Sequence, residues 1–65
     1  MTKEQLQTEI QARFKKTSDF EAAYKKEGGQ LAAGEVQHQI AGRRKVTRAW
    51  AAAYTFFFRL WDAKQ

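Results

Sequence analysis

The stretch Val46–Trp61, VTRAWAAAYTFFFRLW, decides how this chain folds. Turning about 100° per residue, Val46, Ala49, Trp50, Ala53, Tyr54, Phe56, Phe57, Leu60 and Trp61 share one side of a helix. Thr47 and Phe58 widen that side to an arc of about 200°, where a typical surface helix carries an apolar stripe only somewhat wider than about 100°. One antiparallel neighbour cannot cover such an arc. The stretch therefore predicts a helix that needs a third helix, a second subunit or a membrane surface against it.

Upstream, Thr2 with Gln5 reads as a capping box that starts a helix near Lys3. From there Leu6, Ile10, Phe14, Thr17, Phe20 and Tyr24 stay within about a third of the helix circumference, an amphipathic stripe in continuous phase. The spacing predicts one helix over about 3–27, ended by Gly28–Gly29, because glycine takes the left-handed conformation that a helix C-terminus often needs. Ser18 with Glu21 is a second capping box, so a break at Thr17–Ser18 is the alternative. The remainder reads as a helix over about 31–63, although Gly34 and Gly42 each weaken it by about 1 kcal/mol relative to alanine. The expected fold is all-α: a single domain, an antiparallel helical hairpin that pairs as a dimeric four-helix bundle. A break at Gly42 would instead give three helices.

Composition agrees with helix and sets a limit on size. The chain has 65 residues, no cysteine, no proline and one histidine, so neither disulfides nor a zinc cluster can reinforce a small core. Of its 28 apolar residues 11 are alanine and only seven are Val, Ile or Leu, which leaves nine aromatics to supply the bulk. Trp50, Tyr54, Phe57, Phe58 and Trp61 are accordingly expected at a subunit or partner interface. The longest nearly apolar run, Ala49–Phe58, has 10 residues where a membrane span needs about 20. The opening residues are rich in Gln and Glu and do not resemble a secretory signal, so a cytoplasmic location is expected.

The net charge of +5 is unevenly placed. Residues 1–30 hold six basic and five acidic side chains, whereas residues 31–65 hold six basic and two acidic. On one continuous helix Arg44, Arg48 and Arg59 align with Thr55, opposite the aromatic arc, with Lys45 at the edge and Ala51 and Ala52 between them. Such a line of guanidiniums would extend about 22 Å, a form suited to tracking phosphates. Arg43 falls instead within the apolar arc, where it is expected to snorkel or to reach Glu27 or Glu35.

The sequence thus predicts a small non-enzymatic regulatory or accessory protein. It is expected to bind nucleic acid through Arg43, Arg44, Lys45, Arg48 and Arg59 and to self-associate through its aromatic face. The competing readings are a solvated basic face, a module whose aromatic face docks on a different protein, and a peripheral membrane binder. His38 lies among Gln37 and Gln39 and is expected to be a surface residue. No catalytic residue, metal ligand, cofactor or small-molecule substrate is implied.

Overall fold

The computed structural model describes all 65 residues as four α-helices without strands. They are α1 (Lys3–Gln11), α2 (Thr17–Lys26), α3 (Glu35–Ile40) and α4 (Arg48–Ala63). Each expected long helix is broken once, and the hairpin is replaced by four shorter helices, three of them placing core residues against α4. Dimensions show why. A helix of 33 residues would be about 50 Å long, yet the molecule measures 31 × 23 × 21 Å with a radius of gyration of 10.7 Å. A self-standing globule of this length is expected at about 11 Å. No helix is long and apolar enough to cross a membrane.

The expected start of α1 is present. Thr2 Oγ1 accepts from the Gln5 amide at 3.1 Å, and Gln5 Oε1 accepts from the Thr2 amide at 2.8 Å, closing the capping box. The helix then stops at Gln11 rather than running on to residue 27. Arg13 and Phe14 find better partners across the molecule than a continuous helix would give them. The Arg13 guanidinium forms two hydrogen bonds to Asp62 at 2.8 and 2.7 Å, another to Glu9 Oε1 at 2.8 Å, and lies 4.5 Å from the centre of the Phe58 ring. Phe14 meets Trp61 and Phe20 with ring centroids 4.8 and 5.8 Å apart. Lys16 is extended, and α2 begins at Thr17 without a side-chain cap, so Ser18 and Glu21 do not act as a capping box.

Two glycines terminate helices in the same way. Beyond α2, Gly28 has φ +96°, and the amides of Gly28 and Gly29 bond to the carbonyls of Lys25 and Tyr24 at 3.0 and 2.9 Å. Beyond α3, Gly42 has φ +84°, and the amides of Gly42 and Arg43 bond to Gln39 and His38 at 3.1 and 2.9 Å. Both are Schellman motifs, which satisfy terminal carbonyls that the helix leaves free. Thr47, read from the sequence as part of the apolar arc, is instead the N-cap of α4, its hydroxyl accepting from the Trp50 amide at 3.3 Å.

The core consists of Leu6 and Ile10 from α1, Phe20 and Tyr24 from α2, Val36 from α3, and Tyr54, Phe57 and Phe58 from α4. Aromatic rings form its centre. Phe20 meets Tyr54, Phe57 and Phe58 with centroids 5.7, 5.4 and 5.5 Å apart, the first two edge-on. The wide arc of α4 is thus covered by the other helices of the same chain. This corrects the expected interface: Tyr54, Phe57 and Phe58 are buried internally, and Trp50 and Trp61 are half-buried against that core. What the arc leaves exposed is Phe56 and Leu60.

Burial raises the ionisation of both tyrosines, Tyr24 and Tyr54, above the ordinary phenol range. An unfolded tyrosine ionises near about pH 10, so the stability that these phenols confer is present below that pH and is lost as pH rises through their folded values. In an alkaline titration, phenolate absorbance is expected to stay low at pH 10 and then to appear together with the loss of helical circular dichroism. Phenolate formation near pH 10 with the helices intact would contradict this core.

Candidate nucleic-acid interface

The basic cluster does not lie on one helix face. Gly42 ends α3, so Arg43, Arg44 and Lys45 occupy the connection before α4, and only Arg48 and Arg59 remain on the helix. All five are exposed. Their environments differ.

Arg44 is engaged. Its Nη1 donates to Glu35 Oε1 at 2.5 Å, and the Glu35 side chain is only 7% exposed. Glu35 Oε2 accepts from Gln39 Nε2 at 2.8 Å, and Gln39 Oε1 accepts from the Tyr54 hydroxyl at 2.6 Å. A hydrogen-bonded chain therefore runs from the surface to the centre of the core, through a glutamine and a tyrosine that are both fully buried. Each link answers the cost of burying a polar group without a partner. The Tyr54 phenol is held in its neutral form chiefly by burial, with the nearby carboxylates of Glu35 and Glu21 acting in the same direction.

Arg43 does not reach Glu27 or Glu35. Its Nε donates to His38 Nδ1 at 2.8 Å, so the half-buried His38 serves as an acceptor for its neighbour. Glu27 pairs instead with Lys64, tying the end of α4 to the end of α2.

Lys45, Arg48 and Arg59 make no ion pair. Two shallow depressions meet at Met1. One is lined by Met1, Thr2, Lys3, Gln39, Gly42, Arg44, Lys45 and Val46, and the other by Met1, Arg48, Ala51, Ala52, Thr55, Phe56 and Arg59. No carboxylate lines either. The lysines at 15, 16, 25 and 26 are also without ion pairs, but none of them lines these depressions.

No family model, curated protein or solved structure matches the chain. The reading of this surface therefore rests on its own geometry. Arg48 and Arg59 are 11 residues apart on α4, about 16 Å along its axis. The small side chains of Ala51, Ala52 and Thr55 lie between them and permit a close approach. The sequence wheel placed Phe56 among the buried rings, yet it is 64% exposed at the rim of this depression. Its position one turn from Arg59 was the available signal.

The two classes of arginine separate in a stability measurement. Arg44→Ala leaves the buried Glu35 carboxylate short of its cation and is expected to lower unfolding free energy by about 2 kcal/mol. Arg48→Ala and Arg59→Ala are expected to change it by less than about 0.5 kcal/mol. Urea denaturation of the three variants checks this, and equal losses in all three would contradict the division.

Proposed function

We propose that this protein is a small non-enzymatic nucleic-acid-binding protein that holds phosphates along the outer face of α4 and the adjoining α3–α4 connection. The observation that carries the reading is the pair of depressions joined at Met1, lined by Lys3, Arg44, Lys45, Arg48 and Arg59 and by no carboxylate. Free guanidiniums fork onto phosphate oxygens, and Lys45, Arg48 and Arg59 have no carboxylate partner, whereas Lys3 lies 4.0 Å from Glu4 and Arg44 is paired with Glu35. Arg48, Arg59, Lys45 and Lys3 are the phosphate contacts of this reading. The charge of Arg44 is balanced by Glu35, so Arg44 shapes the patch and is not one of its phosphate contacts. Arg43 lines neither depression and is not needed by it.

The alternative of an aromatic face docking on another protein, or on a second copy of this chain, relied on Trp50, Tyr54, Phe57, Phe58 and Trp61. Burial of the central three inside the chain removes the main support for it.

Phosphate binding by four cations releases counterions, so the logarithm of the affinity is expected to fall with the logarithm of salt at a slope of about −3. The double variant Arg48→Ala/Arg59→Ala is expected to weaken binding and to bring that slope down by about 1.5 in magnitude. Fluorescence anisotropy with a labelled oligonucleotide across a salt series measures both. An absence of binding at low salt, or an unchanged slope in the double variant, would contradict the proposal.

A further inference from the structure

We infer that the strand held on this face is unpaired, with a base stacked on Phe56 and phosphates on Arg48 and Arg59; this deepens the nucleic-acid reading and rests on it. Phe56 is the most exposed ring of a chain that otherwise puts its aromatics into the core: it is 64% exposed, whereas Tyr54, Phe57 and Phe58 on the same helix are 0%, 4% and 4% exposed. It stands at the boundary of two unlike surfaces. On one side lies the depression with Arg48, Ala51, Ala52, Thr55 and Arg59. On the other is a notch formed by Tyr24, Gly28, Gly29, Ala53, Phe57 and Leu60, with Glu27 its only charged residue.

That juxtaposition suits the two chemistries of a single strand. The phosphodiester backbone takes the cationic side, where the alanines let it approach the helix. Its bases, splayed toward Phe56, find a π-face and then an apolar notch edged by Leu60, which is itself 40% exposed. Stacking on an aromatic side chain tolerates any base, because each base has a π-face. A duplex gains only half of this. Its bases are stacked on one another within the double helix, so it engages the arginines and leaves Phe56 without a partner. Arg59, one turn after Phe56, lines the same depression, a spacing that allows stacking and phosphate contact by neighbouring nucleotides.

The test uses fluorescence anisotropy at fixed low salt with four labelled probes: an oligothymidylate, an oligouridylate, an abasic strand and a duplex, all of matched length. The wild-type protein is expected to prefer both base-bearing strands to the duplex. Phe56→Ala is expected to weaken binding to those strands by about tenfold, to leave the abasic strand unaffected, and to be rescued by Phe56→Tyr. Because Phe56 lies on the surface, these variants are expected to keep the wild-type circular dichroism and melting temperature. If Phe56→Ala binds every probe as the wild type does while Arg48→Ala/Arg59→Ala loses them all, phosphate binding stands and stacking is overturned. If the wild type binds none of the probes, both readings fall. A wild-type dimer in light scattering that Phe56→Ala converts to monomer would assign the ring to self-association and overturn the inference.

Discussion

The Glu35 carboxylate, buried under α3 and held by Arg44 and Gln39, is the interaction on which the second half of the molecule depends. A buried carboxylate is stable only with its charge balanced and its oxygens hydrogen-bonded. Arg44 meets the first requirement, and can do so only because Gly42 turns the chain back over α3 in a left-handed conformation. Gln39 meets the second and passes the remaining demand to the Tyr54 hydroxyl, which fixes α4 against α3. One network thereby sets the turn, the docking of α4 and the division of the basic cluster into an arginine used for folding and others left to solvent.

The first half is governed by bulk. With few aliphatic residues, the core is built from rings, and rings are wide. At the centre Phe20 and Tyr24 meet one another and each meets both Tyr54 and Phe57, so α4 meets the other helices through its side chains rather than by close backbone approach. Short helices suit this geometry better than a hairpin, because each can turn to place one or two residues on the aromatic surface. Arg13 closes one end of the arrangement by bonding Asp62 while covering Phe58, and Arg13 in turn holds the Asp62 carboxyl below the ordinary aspartate range.

Much of this was legible in the sequence, and the exceptions have definite causes. The capping box at Thr2, the stop at Gly28 and the all-helical class follow from local chemistry, and each is present. The excess width of the arc on α4 correctly required more than one covering element. The break before Thr17 was legible only as the alternative at Thr17–Ser18, since Leu6, Ile10, Phe14, Phe20 and Tyr24 keep the phase of a continuous helix and no Gly or Pro interrupts them. What breaks that helix is tertiary: Arg13 and Asp62 are separated by 49 residues. Exchange of the roles of Arg43 and Arg44 has a related cause, because a helical wheel drawn through residues 42–47 assigns angles to residues that lie in a turn. Gln39 reads as a surface amide by type, and only the positions of Glu35 and Tyr54 make its burial favourable.

We propose that a polynucleotide strand binds the surface from Lys3 and Lys45 to Arg59. The most direct test is amide and side-chain chemical-shift mapping of the full chain during titration with a single-stranded oligonucleotide. The largest changes are expected on Lys3, Lys45, Arg48, Thr55, Phe56 and Arg59, with little change at Lys15, Lys16, Lys25 and Lys26, which are equally charged but lie outside both depressions. Changes centred on those four lysines, or spread evenly over all basic residues, would contradict it.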